Sequence, residues 1–129
     1  MSRLFAAGAV SMLIFLAACQ SASQNVTSNR AGPFPENYAD LVREHVRTTF
    51  FDPYSIRDAS LSKPELGRFM FSGGWVVCLR ANAKNRLGGY TGVSDTVFFV
   101  NQGRITDGGD DTVGICKNRL FTSWNPGIE

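Results

Sequence analysis

Hydrophobic and polar residues recur with different periods along this chain, and the changes of period mark out its elements. Tyr38, Leu41, Val42, His45, Val46 and Thr49 follow one another at helical spacings, while Asp40, Arg43, Glu44 and Arg47 fall between them. That is the pattern of an amphipathic helix of about three turns. Asn37 stands at the N-cap position and Asp40 in the first turn, and Pro53 disfavours helical geometry at Asp52. The helix is therefore expected to close near Phe51, with Phe50 and Phe51 turned to the core. A period of two follows. Residues 56–62 place Arg57, Ala59 and Leu61 on one side, and residues 69–82 place Trp75, Val77, Leu79 and Ala81 opposite Val76, Cys78, Arg80 and Asn82. Residues 95–101 are β-branched and aromatic, and Gln102-Gly103 reads as a tight hairpin turn into Arg104, Ile105 and Thr106.

A lone amphipathic helix needs a surface on which to bury its stripe, and the strands supply it. The expectation is an α+β domain: one amphipathic N-terminal helix packed on a small, mainly antiparallel sheet of roughly three to four strands. Gly73-Gly74 marks a bulge or bend, residues 107–111 a polar turn, and residues 113–121 a return to the sheet in a short helix. Residues 82–92 read as one exposed loop after the central strand.

The first residues have a different character. Arg3 precedes an uncharged run over residues 4–16, which at about 1.5 Å per residue reaches only about 20 Å of a roughly 30 Å hydrocarbon core. This is the form of a secretory signal. It ends in Leu16-Ala17-Ala18-Cys19, which resembles the lipobox of bacterial lipoproteins. The resemblance implies cleavage before Cys19, diacylglycerol on its thiol, and fatty acylation of the new amino group. Residues 1–18 are then a signal peptide, 19–36 a lipidated flexible tether rich in Ser, Asn and Gln, and 37–129 a single domain. Gln20 replaces the Asp that would retain such a protein at the inner membrane, so the resemblance implies an outer-membrane lipoprotein facing the periplasm. An ordinary signal peptide with a chance cysteine is the competing reading.

With Cys19 lipidated, Cys78 and Cys116 remain as a pair in an oxidising compartment, where a disulfide is the default. Loss of Arg3 with the signal leaves 12 basic against 11 acidic side chains. Such a balance gives nucleic acid no basic footprint. Catalytic groups are few. His45, the single histidine, lies on the apolar side of its helix, and Cys78 has an oxidised partner, which disfavours a thiol nucleophile. Zinc spacing, a nucleophile elbow and a phosphate loop are all missing from the sequence, and Glu36, Glu44, Glu65 and Glu129 read as exposed or terminal. Asp107, Asp110 and Asp111 beside Gly108-Gly109 lack EF-hand spacing and read as a solvated turn. No cofactor or metal is expected.

Asp52-Pro53-Tyr54-Ser55, and later the strand from Cys78 into Asn82-Ala83-Lys84-Asn85-Arg86-Leu87-Gly88-Gly89-Tyr90-Thr91-Gly92, resemble motifs of small envelope and phage-associated bacterial domains. The resemblance covers residues 51–100, close to half the mature chain, and departs at Leu79, where Gly would follow the Cys. It implies a domain identity and no reaction. The loop combines amides, two cations and an aromatic ring, the materials of a polar recognition surface, so Asn82, Lys84, Asn85, Arg86 and Tyr90 are the expected contact residues. A scaffold reading stands beside it, in which the Asn side chains satisfy their own backbone and Tyr90 packs back on the sheet. The expected function is that of a non-enzymatic, lipid-anchored binding or structural module that meets an envelope protein or peptidoglycan. The alternative is a cell-wall enzyme or a regulator of one.

Overall fold

The helical stripe forms α1, Tyr38–Thr49, in the computed structural model, which describes residues 30–128. The expected signal peptide and the expected lipidation at Cys19 lie outside the described residues. Asn37 is the N-cap residue, and its carbonyl accepts the N–H groups of Asp40 and Leu41. Asp40 pairs with Arg43 one turn on, and the helix closes at Phe50. Val42 and Val46 are fully buried, whereas Thr49 and Phe51, expected on the core side, are exposed.

Six strands follow: β1 (Arg57–Ser62), β2 (Glu65–Phe69), β3 (Ser72–Lys84), β4 (Tyr90–Asn101), β5 (Arg104–Asp110) and β6 (Phe121–Ser123). They form one antiparallel sheet in the order β5-β4-β3-β1-β6, with β2 paired to the first part of β3. This corrects the expectation of an α+β domain with an N-terminal helix on three or four strands. The described chain is mostly β, and its one complete helix lies mid-chain. Two strands carried too weak a signal. β2 is a largely exposed ladder with a glycine at its centre, and the turn after it is apolar Met70-Phe71, so the alternation runs through the turn without a break. β6 has three residues and a single apolar side chain.

β3 is central because it is buried on both faces. On one face Val77, Leu79 and Ala81 meet Leu61, Phe98, Val100 and the helix residues Val42 and Val46. On the other, Val76 and Cys78 meet Val97, Phe99 and Cys116, with Ile115 and Phe121 packed against them. The alternation predicted for β3 is thus the alternation observed. Cys78 and Cys116, 38 residues apart, are joined by the expected disulfide. Residues 113–121 return to the sheet through turns instead of the expected short helix. The Asp111 carboxylate organises those turns by accepting the N–H groups of Gly114, Ile115 and Cys116 at 2.7 to 2.9 Å.

Turn chemistry accounts for the remaining corners. Gln102 and Gly103 both have positive φ, 49° and 71°, as the mirror-image two-residue hairpin turns demand. Gly74 has a φ of 136°, and a Cβ there would overlap the side-chain amide of Asn101, whose nitrogen donates to the Gly73 carbonyl at 2.7 Å. The bulge or bend expected at this pair of glycines is not seen: both lie within β3 and pair in unbroken register with β2.

Packing begins before residue 37. Ala31 is fully buried, its carbonyl accepts the Gln102 N–H at 2.8 Å, and the Gly32 carbonyl accepts the Trp75 indole N–H at 3.1 Å. The first described residues are therefore pinned at the end of the sheet that carries the β4–β5 turn. The β3–β4 turn lies at the opposite end, because Trp75 and Lys84 stand nine residues apart on β3, about 30 Å at roughly 3.3 Å per residue.

Candidate functional site

The expected loop is mostly strand. Residues 82–84 belong to β3 and residues 90–92 to β4, so only residues 85–89 form the connection. Asn85 closes that turn on itself: its side-chain oxygen accepts the N–H groups of Leu87 and Gly89, and its own N–H donates to the Gly89 carbonyl. Asn82 has a similar task. β4 contains one extra residue relative to β3 between Val93 and Tyr90, and the nearly buried Asn82 side chain accepts the Gly92 N–H at 3.2 Å across that bulge. Both asparagines are scaffold.

A short 3₁₀ turn, Pro53–Ser55, holds the hairpin from the side. Ser55 is buried; its hydroxyl accepts the Lys84 N–H at 2.9 Å and donates to the Asp52 carbonyl at 2.7 Å. Its carbonyl accepts the Tyr90 phenol at 3.0 Å. The two motifs quoted from the sequence, Asp-Pro-x-Ser and Asn-Ala-Lys-Asn-x-x-Gly-Gly-Tyr-x-Gly, are thereby one structural unit. Ser55 is their shared hydrogen-bonding point.

With its hydroxyl fixed, Tyr90 presents its ring as a platform. The Arg57 guanidinium carbon lies 3.5 Å from the ring centroid and the Lys84 ammonium 5.6 Å from it, a separation over which cations are attracted to the face of a phenol ring. Arg86 is exposed on the adjoining turn, next to Leu87 at 94% exposure, and Tyr54 is exposed on the 3₁₀ turn. Lys84, Arg86 and Tyr90 therefore share one surface at the end of β3. Arg57 was missed as a member of it. Strict alternation puts Arg57 beside Ala59 and Leu61, but Asp58 adopts a φ of 55° and β1 carries an extra residue between Arg57 and Ser60. The bulge turns Arg57 to the side of Arg80 and Asn82. A cation at an inward position of an otherwise apolar face was the available signal.

The remaining candidates are structural. His45 packs its ring edge-on against Phe98 at 5.3 Å, and burial lowers its pKa. Burial alone would raise the pKa of Asp111, but the N–H groups of Cys116, Ile115, Gly114 and Val113 outweigh it and leave the carboxyl below its ordinary value. Asp107 accepts the Ser72 hydroxyl and the Gly108 N–H. Arg80 and Asp95, facing each other across β3 and β4, form a two-point ion pair at 2.8 Å, with the guanidinium 4.0 Å from the Phe121 ring centroid. Among the described residues no cluster of His, Cys, Asp or Glu has metal-binding geometry, and no helix is long and apolar enough to cross a membrane.

The chain matches no protein-family model, no curated protein and no solved structure.

Proposed function

We propose that this chain is a bacterial outer-membrane lipoprotein, anchored through Cys19, whose domain is a non-enzymatic binding module for an acidic envelope partner. The observation that carries the binding role is the Tyr90 platform, with Arg57 and Lys84 over the ring and Arg86 exposed on the adjoining turn. Cations held against an aromatic ring are partly desolvated before a ligand arrives, and the Ser55 bonds hold the ring in place without the partner. Carboxylates of a protein loop or of the peptidoglycan stem would meet Arg57, Lys84 and Arg86 together. The anchor reading rests on the run of residues 4–16 and on Leu16-Ala17-Ala18-Cys19.

The test uses the full-length protein in intact cells, with a photo-crosslinking residue at position 86. Capture of one envelope component, lost in an Arg57→Glu/Lys84→Glu double variant that melts at nearly the parental temperature, supports the binding surface. Undiminished capture by the double variant refutes it. Mass spectrometry of the mature protein checks the anchor independently, with an acylated Cys19 expected as the first residue.

A further inference from the structure

We propose that the β2–β3 turn, Met70-Phe71, is a bilayer-contacting wedge that works beside the lipid on Cys19; this rests on the anchor reading above. Phe71 is 100% exposed and Met70 69% exposed, at a turn where polar residues are the norm. Neither belongs to the core clusters on the two sides of the sheet. Leu66 and Phe69 on the same hairpin add partly exposed apolar surface.

The surroundings select the occupant. Phe71 lines an open cavity of about 610 Å³ with two cations, Arg68 and Arg30. The one acid in that lining, Asp107, already accepts the Ser72 hydroxyl. Apolar side chains bordered by guanidinium groups match the boundary between acyl chains and anionic headgroups. A second copy of the chain fits poorly, since a symmetric contact at this tip would set arginines against arginines.

Arg30 also places the tip relative to the anchor. Its carbonyl is held by the Gln102 side chain at 3.1 Å, so the first described residue lies beside Phe71. Arg30 lies eleven residue steps from Cys19, at most about 40 Å even when fully extended. A lipid at Cys19 thus keeps the Phe71 tip within reach of the bilayer, and the wedge, once inserted, fixes which end faces it.

The test is depth-sensitive quenching on the purified full-length lipoprotein, reconstituted into vesicles of phosphatidylethanolamine and phosphatidylglycerol with brominated acyl chains. Phe71→Trp is compared with Leu120→Trp, at an exposed position elsewhere, after subtraction of the Trp75 and Trp124 signal. Blue-shifted, strongly quenched emission from the Phe71→Trp probe, with little quenching of the Leu120→Trp probe, supports the wedge. Equal quenching of both overturns it. A blue shift without bromine quenching also overturns it, because the tip is then covered by protein. Since Phe71 belongs to neither core cluster, the variant should melt at nearly the parental temperature, and that melt verifies its fold. If Cys19 carries no lipid but added vesicles still quench the Phe71→Trp probe, the wedge stands and the anchor reading falls; a lipidated protein with an unquenched probe gives the reverse.

Discussion

At the scale of single residues, two polar contacts carry more than their size suggests. The Ser55 hydroxyl is the acceptor for the Lys84 N–H, and its removal in Ser55→Ala leaves that donor unsatisfied at the base of the Tyr90 platform. An unpaired, largely buried donor costs about 1 to 3 kcal/mol, and chemical denaturation should register a loss in that range. The variant should also weaken partner capture at position 86, because the Tyr90 phenol hangs on the carbonyl of the same residue. Asp111 gives a pH-dependent counterpart. Its folded-state pKa lies below the ordinary value of 3.8, so its contribution to stability is present in full above that value and is lost as pH falls through the lower folded value. Asp111→Asn keeps the shape but donates where the carboxylate accepted; it should cost about 1 to 2 kcal/mol at neutral pH and shrink the drop in melting temperature on acidification. An unchanged acid limb in the Asp111→Asn variant would remove that residue from the account.

Elements were legible in proportion to how strongly one side of them is buried. α1 and β3 could be read because Val42 and Val46, and Val77 and Leu79, have to be inside and recur at the right period. The β4–β5 turn could be read because Gln-Gly supplies the positive φ that a two-residue hairpin requires. β2 could not, since its ladder is largely exposed and its turn, Met70-Phe71, is apolar and sets no polar break before β3. The candidate site was half legible. Residue types in the hairpin pointed to Lys84, Arg86 and Tyr90, but the use of Asn82 and Asn85 within their own backbone, and the bulge that brings in Arg57, are set by tertiary register. At this scale the disulfide is the strongest test of the two-sided sheet. It ties residues 111–120 over the second face, and the chain-entropy account assigns about 3 to 4 kcal/mol to a loop of this length. Reduction, or Cys78→Ala with Cys116→Ala, should lower the melting temperature well before the α1 side of the core is affected; core proton exchange near Val42 would follow the global loss, and that near Cys116 would precede it.

The described chain is organised along β3, with its first residues and the Phe71 tip toward one end and the Tyr90 platform at the other, about 30 Å away by strand geometry. A wedge in a bilayer reaches only about 5 to 10 Å below the headgroups, so a domain held by both lipid and wedge keeps position 86 clear of the membrane. Held by the lipid alone, it can turn on its tether and bring either end to the surface. The two cases differ in a single measurement. A photo-crosslinker at position 86 of the reconstituted lipoprotein should form no lipid adducts in the parental background and should gain them in Phe71→Ser, while partner capture falls because the platform no longer points one way. Lipid adducts at position 86 in both backgrounds would mean that the wedge does not orient the domain, and that orientation would have to be abandoned even if Cys19 proved to be acylated.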